Sequence, residues 1–317
     1  MEKKTSLYRQ QAVSAMGARE DGIPYCPGPD SDPHPPTFAI PPGAVDTHAH
    51  IFGPESRYPY SPKRGYTPPD APLDTFLKLH ETLGIARGVL TQPSVYGTDN
   101  SAILDAVAKV GMDRFRAVVA VAGDVTDAEL EAFHAAGARG VRVNLVDKGG
   151  MPFDTIEDVA EFTKRLKDLG WHLEVLIHVS DFPYLRGTLE SMAVDVVVGH
   201  LGYMNTGEGL GNAGFQTFLD LLRDGTCWVK FSGSYRITAR DAPPYDDVIP
   251  YAQALMEANP DRVVWGSDWP HPVFYKTMPN DGYLLDQLSH WTDDRDLIRK
   301  ILVGNPEKLY GFPPYEP

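Results

Sequence analysis

The sequence predicts an α/β fold, a distorted (β/α)8 TIM barrel, over residues 44–317. Short runs rich in β-branched residues alternate with amphipathic stretches from residue 43 onward, and about eight such units close a barrel. Polar residues stand where several of these runs end, which is the face of a barrel that carries active sites. The alternative is an open doubly wound sheet, whose first strand usually leads into a Gly-rich phosphate loop, but here that strand ends in His-Ala-His.

The predicted strands are short and apolar, as expected for strands that are buried on both faces of a parallel sheet. In chain order they cover residues 43–52, 87–93, 115–122, 139–145, 172–179, 195–202, 227–233 and 262–270. Helices are predicted between them where apolar residues recur at i, i+3 and i+4. Clear examples are residues 73–84, 101–111, 126–137, 155–170 and 247–260.

Residues 1–43 form a Pro-rich N-terminal arm in front of the predicted barrel. The second half of the arm, residues 23–43, is dense in proline, which neither continues a helix nor fits a central strand. We expect the arm to pack on its own barrel or to reach a neighbouring subunit of a homo-oligomer.

Composition narrows the partners and the location of the protein. The chain has 29 Lys and Arg against 43 Asp and Glu, a net charge of −14, which argues against binding to nucleic acid or to an anionic membrane. Its two cysteines, Cys26 and Cys227, fit a reducing compartment. No apolar run approaches the roughly 20 residues that cross a bilayer. The N-terminus has basic residues but no apolar h-region, so we expect no secretory signal. We expect a soluble cytoplasmic protein that binds a small molecule.

The strongest polar cluster closes the first predicted strand. His48 and His50 share one face because strand side chains alternate, and two imidazoles there are able to chelate a metal ion. The pair alone fits two hydrogen-bonded polar residues equally well. His200 and Asp268 follow apolar runs in the sixth and eighth strands, where a single residue would be read as a satisfied core histidine or a helix cap. The combination favours one shared site.

His178 ends the fifth predicted strand and is a candidate additional metal ligand. Its placement depends on the register of the strand, because Glu174 and Leu176 share its face. The histidines in the arm, on helices or at a strand start are interpreted as structural: His34, His80, His134, His172 and His290.

Two arginines are candidates for binding the substrate. Arg142 lies inside the fourth strand and Arg236 follows the seventh, and a planar guanidinium suits a carboxylate or sulfonate. A buried ion pair with a structural acid is the alternative. The long loop 53–72 is a candidate aromatic and cationic lid. Further candidate pocket residues, near strand ends or in that loop, are Tyr58, Ser94, Asn144, Tyr203 and Tyr235.

Several motifs, in this order, resemble the amidohydrolase superfamily over residues 45–312. The resemblance is to the branch that contains 2-pyrone-4,6-dicarboxylate lactonase, 4-sulfomuconolactone hydrolase and galactarolactone isomerase. It implies a distorted barrel that acts on lactones with acidic groups, as in the catabolism of aromatic compounds. The motifs are DTHAHIF, RYPYSPKRGYTP, SVYGTDN, RGVRVNL, GHLG, KFSGSYR, WGSDWPHP and GNPEKLYGF.

The resemblance implies that His48, His50, His200 and Asp268 shape the site and that Arg142 and Arg236 bind the substrate anion. Two positions depart from the pattern. The strand-five metal histidine of other amidohydrolases aligns nearer Leu176 than His178, and members of the branch differ in whether they need a metal. Tyr203 stands where the pyrone lactonase has arginine, which makes the doubly carboxylated pyrone less suited as a substrate.

The sequence therefore predicts a hydrolase that opens a lactone ring carrying carboxylate or sulfonate groups. Asp268 would take a proton from water and return it to the leaving oxygen. One divalent metal ion, with Zn²⁺ as the first candidate, would polarise the carbonyl, and in a metal-free site the histidines would donate hydrogen bonds to the oxyanion. The predicted metal ligands are His48, His50, His178, His200 and Asp268. Lactone isomerisation, hydration, metal-dependent decarboxylation and a non-catalytic role remain alternatives.

Overall fold

The computed structural model describes residues 16–147 and 149–316. Within them, eight parallel strands are hydrogen-bonded in chain order, each to the next. A parallel bridge between Ala49 and Trp269 joins the first strand to the segment after the last, so the barrel is nearly closed. The predicted barrel is confirmed and the open sheet is excluded. The strands are β1 Val45–Ala49, β2 Arg87–Thr91, β3 Phe115–Val119, β4 Ala138–Asn144, β5 His172–Leu176, β6 Val196–Val198, β7 Cys227–Phe231 and β8 Val263–Trp265.

Helices follow the strands and pack their apolar faces on the barrel. Thr126 and Thr155 begin two of them with capping boxes, in which the threonine side chain and the acid three residues later satisfy each other's backbone N–H groups. The helices are α1 Leu73–Leu83, α2 Ser101–Val110, α3 Asp127–Ala135, α4 Ile156–Leu166, α5 Leu185–Glu190, α6 Ala213–Arg223, α7 Ser234–Ile237, α8 Ile249–Ala258, α9 Asp281–Trp291, α10 Arg295–Arg299 and α11 Asn305–Tyr310. None of the helices in the described residues is long and apolar enough to cross a membrane.

The strands end earlier than the apolar runs predict. β6 ends at Val198 and β8 at Trp265, and the chain then leaves the ladder. His200 and Asp268 have left-handed backbone angles, with φ of 50° and 64°, which non-glycine residues rarely adopt. Gly266 allows this segment to pass close to β1, since a Cβ there would lie 2.6 Å from His48 Cβ. The turns after the strands therefore aim polar side chains at the mouth of the barrel.

The described part of the arm packs on the barrel. Cys26 is buried, and its backbone N–H donates to the Thr67 carbonyl in the loop after β1. Arg64 of the same loop pairs with Asp21 at 2.6 Å, and the Thr37 N–H donates to Asp286 on α9. Residues 1–15 of the predicted arm lie outside the described residues, and contact with a second subunit stays a prediction.

Candidate active site

Three polar side chains converge at the mouth of the barrel, at the ends of β1 and β8. His48 Nε2 lies 3.6 Å from Asp268 Oδ1, and His50 Nε2 lies 3.8 Å from the same oxygen. All three residues are buried, and one ligand atom from each lies within 4.8 Å of the others. The predicted convergence of β1 and β8 is therefore found in the structure.

Both His48 and His50 direct an unprotonated Nε2 towards Asp268 Oδ1. His50 Nδ1 lies 2.7 Å from the Thr91 carbonyl, which accepts only, so the ring hydrogen lies on Nδ1. His48 Nδ1 lies 3.0 Å from Glu174 Oε1 and donates in the same way. Burial lowers the pKa of both rings, so they are neutral and Nε2 carries a lone pair.

The converging atoms are left without hydrogen-bond donors. Among the described residues, His48 Nε2 and Asp268 Oδ1 are buried and have no hydrogen-bond partner. Buried polar atoms are normally satisfied, and lone pairs that face one another repel. A divalent cation between them would satisfy all three, and an imidazole held through its other N–H by a carboxylate or carbonyl is the usual arrangement around a bound metal. The donor set therefore fits a metal ion.

His200 lies beside the group, and His178 does not. The His200 ring centroid is 5.2 Å from that of His48, and its Nδ1 lies 2.9 Å from Ser232 Oγ. His178 is exposed; its Nδ1 donates to the Tyr203 carbonyl at 2.7 Å and its ring stacks on Tyr203. The structure thus does not bring His178 to the other predicted ligands. β5 ends at Leu176, so strand alternation does not extend to residue 178.

The inner face of β5 instead presents Glu174, which pairs with a lysine that the sequence analysis missed. Lys230 is fully buried on β7, and its Nζ lies 2.5 Å from Glu174 Oε2 and 3.2 Å from His48 Nδ1. Although burial opposes ionisation, Lys230 and His48 hold the pKa of Glu174 well below its usual range. The ionised Glu174 fixes the His48 ring. The signal was present in the sequence, because a lysine interrupts the apolar strand Cys227–Phe231.

The second oxygen of Asp268 is fully engaged. Oδ2 accepts from the Tyr235 hydroxyl at 2.5 Å and from Arg236 Nε at 2.6 Å. Burial raises the pKa of Asp268, but the Arg236 guanidinium outweighs it and holds that pKa well below its usual value. Asp268 is therefore a carboxylate whose Oδ1 alone is free. Arg236, predicted to bind the substrate anion, forms the buried ion pair that was its alternative interpretation.

Arg142 retains an unpaired charge at the pocket. Its Nη1 donates to the Gln92 carbonyl at 2.9 Å, and it makes no ion pair with any acid of the described residues. It is buried on β4 and lines both the inner pocket at Asp268 and a larger cavity of about 550 Å³ beyond it. Desolvating a guanidinium without an anion is unfavourable, so this position is suited to an acidic ligand.

The remaining predicted pocket residues divide into two groups. Ser94, Asn144 and Tyr203 line the inner pocket, together with Tyr66 from the predicted lid loop. The Asn144 side chain is used within its own turn, donating to Asp147 and accepting from the backbone N–H groups of residues 146 and 147. The Tyr58 hydroxyl donates to Asp105 on α2, so the structure does not bring Tyr58 to the pocket.

His271 was missed by the sequence analysis although it follows Asp268 by three residues. Its ring is fully buried, with Nδ1 3.0 Å from the Tyr235 hydroxyl and Nε2 3.3 Å from Asp281 Oδ1. Its place in the WGSDWPHP motif, directly after the predicted strand, was the available signal.

The sequence matches a known protein family and is similar to two of its characterised relatives over most of the chain. Residues 45–312 match the amidohydrolase family. The chain is 39% identical over 294 residues to the 4-sulfomuconolactone hydrolase of Hydrogenophaga intermedia, covering 91% of this chain and 95% of the relative. It is 38% identical over 288 residues to the 2-pyrone-4,6-dicarboxylate hydrolase of Comamonas testosteroni, covering 88% of this chain and 94% of the relative.

Solved structures share the fold over most of the chain. An apo crystal structure from Agrobacterium tumefaciens superposes with a TM-score of 0.80 at 29% identity, covering 88% of this chain and 100% of that one. A probable 2-pyrone-4,6-dicarboxylic acid hydrolase from Acinetobacter baumannii, solved with citric acid bound, gives a TM-score of 0.74 at 28% identity. That alignment covers 85% of this chain and 100% of the other.

Proposed function

The chain belongs to the amidohydrolase family, and we propose that it hydrolyses lactone rings that carry carboxylate or sulfonate groups. One observation carries the proposal: the free Oδ1 of Asp268 and the bare nitrogens of His48 and His50 face one point beside the unpaired guanidinium of Arg142. The relatives support it, since two of them are named as hydrolases of acidic lactones and a third is solved with a tricarboxylic acid.

We propose that His48 Nε2, His50 Nε2 and Asp268 Oδ1 hold one divalent metal ion, with Zn²⁺ as the first candidate. When bound, such an ion would supply Lewis acidity, which polarises a carbonyl and acidifies water. The metal-free alternative, in which His48 and His50 donate hydrogen bonds, is less well supported, because each ring hydrogen is already directed at Glu174 or Thr91.

Arg142 anchors the substrate in this mechanism. Its guanidinium offers N–H groups beyond the one that binds Gln92, and a carboxylate or sulfonate of the lactone would neutralise its charge. This contact holds the ring with its carbonyl towards Asp268, because both residues line the same inner pocket. Arg236 is not available in the same way while it pairs with Asp268.

Asp268 transfers the proton. Water attacks the lactone carbonyl carbon, and Oδ1 accepts the proton that water loses as the new C–O bond forms. Because Arg236 holds the pKa of Asp268 well below its usual value, the carboxyl gives this proton up readily. The ring C–O bond then breaks, and its oxygen, a far stronger base, takes the proton. The product is the open hydroxy acid or its keto tautomer.

His200 is placed to stabilise the developing oxyanion. Burial lowers the pKa of its ring well below the usual value, so the ring is neutral. If the Ser232 hydroxyl donates to Nδ1, across the 2.9 Å that separates them, the ring hydrogen lies on Nε2 and is free to donate.

The cytoplasmic location of the protein and its assembly into a homo-oligomer through the N-terminal arm stay predictions.

The test is an assay of acidic lactones together with elemental analysis of the purified protein. We expect acid release without carbon dioxide, about one equivalent of metal, and loss of turnover on chelation that added metal restores. Asp268→Asn should lower kcat by about 10²- to 10⁴-fold, whereas the control Asp105→Asn, which changes a surface pair with Arg57, should not. Near-native turnover in Asp268→Asn would contradict the mechanism, and an isomeric or decarboxylated product would contradict hydrolysis.

A further inference from the structure

A row of buried side chains leads from Asp268 away from the substrate pocket. The Tyr235 hydroxyl lies 2.5 Å from Asp268 Oδ2 and 3.0 Å from His271 Nδ1. His271 Nε2 lies 3.3 Å from Asp281 Oδ1, at the start of α9. Each of these side chains belongs to a residue that is at most 2% exposed. The mechanism above gives His271 and Asp281 no role, yet both connect to the reacting carboxylate.

The two contacts of the Tyr235 hydroxyl indicate the direction of its hydrogen bonds. A tyrosine hydroxyl carries its hydrogen at neutral pH and is able to donate one hydrogen bond. Its shortest contact is with Asp268, so it donates there, and its oxygen accepts from His271 Nδ1–H. His271 Nε2 faces Asp281 Oδ1 at 3.3 Å, a close electrostatic contact. Within the described residues, neither that nitrogen nor either Asp281 oxygen has a hydrogen-bond partner.

The backbone of His271 has an unfavourable conformation, which the surrounding structure must stabilise. Its φ of 60° is left-handed, a conformation that residues other than glycine and asparagine rarely adopt. Such conformations persist where the surrounding structure imposes them, and they cluster at functional sites. The arm covers the outer end of the row, since the His34 N–H donates to Asn280, which precedes Asp281.

We propose that His271 and Asp281 are positioning residues that act on Asp268 through Tyr235. His271 fixes the direction in which Tyr235 donates, and Asp281 fixes the ring of His271. The terminal torsion of an aspartate is soft, so the donors on Oδ2 decide where Oδ1 points. This inference rests on the proposed function, because it assigns these residues to the orientation of the group that transfers the proton.

Two substitutions at one position separate the two contacts of the ring. The side-chain amide of His271→Asn lies near the place of Nδ1 and is able to donate to Tyr235, but it loses Asp281. The amide of His271→Gln lies near the place of Nε2 and keeps Asp281, but it loses Tyr235. Comparable residues that support an active site change activity or metal affinity by about 10- to 100-fold. We therefore expect kcat to be about tenfold or more higher in His271→Asn than in His271→Gln, with KM unchanged.

The thermal midpoint and a second histidine provide the controls. His172 is equally buried but lies at the start of β5, away from the mouth. His172→Asn and His172→Gln should lower the midpoint and give equal kcat values per folded molecule. If His271→Asn and His271→Gln also give equal kcat values, or if the glutamine variant is the more active, His271 is structural and the inference is overturned.

Failure of the proposed function is recognised separately. If the wild-type protein opens no acidic lactone, the proposed function fails, and the zinc affinities of the same two variants decide the inference. We expect His271→Asn to bind Zn²⁺ about tenfold or more tightly than His271→Gln in competition with a chelator, since Oδ1 is one of the ligand atoms. Equal affinities, including no binding by either variant, would overturn it.

Discussion

The two ends of the barrel treat buried charge differently. At the N-terminal end, Arg87, Arg116 and Arg139 are held by carbonyl oxygens. Arg87 binds the Gly43 and Pro313 carbonyls and also pairs with Glu307, while Arg116 binds the carbonyls of residues 310 and 311. At the C-terminal mouth, Arg142 forms no ion pair with an acidic side chain of the described residues, and Asp268 Oδ1 accepts no hydrogen bond from them.

This difference separates stability from reactivity. The guanidinium groups at the N-terminal end bond to the chain itself, and those of Arg87 and Arg116 fasten its C-terminal segment to the barrel. At the mouth, Arg142 and Asp268 Oδ1 have hydrogen-bonding capacity that the chain does not use. Such buried polar groups are unfavourable in a folded protein unless a ligand bonds to them. The same separation is general for this architecture, in which the C-terminal ends of the strands carry the chemistry.

Lys230 joins the two regions, and its substitution should have the largest effect on stability. Lys230→Met leaves the ionised Glu174 without a counter-charge in the barrel interior, which should lower the free energy of unfolding by about 3–5 kcal/mol. The double variant Lys230→Met/Glu174→Gln removes both charges and should recover most of that loss in urea unfolding. Activity should stay about 10- to 100-fold low in the double variant, because His48 has lost its carboxylate. A double variant as unstable as the single one would refute this electrostatic explanation.

Substituting one arginine at each end of the barrel tests whether the two ends differ in function. Arg142→Met should raise KM for an acidic lactone by about 10- to 100-fold, the value of one or two charge-assisted hydrogen bonds. Stability should change little, because removal of an unpaired buried charge offsets the loss of the bond to the Gln92 carbonyl. Arg116→Met should lower the free energy of unfolding by about 1–3 kcal/mol, because it leaves the Tyr310 and Gly311 carbonyls unbonded. Its kcat and KM should not change. Equal effects of both variants on KM would show that the two ends are not functionally distinct.

The sequence predicted the fold and the outline of the site because both depend on local patterns. Eight alternating runs are visible along the chain, and His48, His50 and Asp268 lie at or just after the ends of strands that meet in any barrel. His178 does not reach the site because β5 ends at Leu176, where its pairing with β4 ends, and the apolar run does not reveal this end.

Contacts across the barrel were not predictable in the same way. The pairing of Lys230 with Glu174, and of Arg236 with Asp268, depends on which inward side chains face one another from separate strands and loops. The row through His271 to Asp281 also requires the left-handed turn after β8 and the start of α9 to meet. One charged residue inside an apolar strand predicts that a side chain of opposite charge lies nearby, but it does not identify that side chain.

His172 provides the smallest predicted effect, a dependence of stability on pH that arises at the N-terminal end. Burial lowers the pKa of its ring to about 4, with Glu174 raising it and Lys230 lowering it to lesser extents. In the unfolded chain the pKa is about 6.5, so below that pH the unfolded state binds more protons and stability falls. At pH 5 this difference destabilises the wild type by about 1–2 kcal/mol relative to pH 8. Unfolding of His172→Gln should therefore show a smaller decrease in stability between pH 8 and pH 5. An unchanged slope would mean that His172 keeps its solution pKa, and that burial at this end of the barrel does not hold the ring neutral.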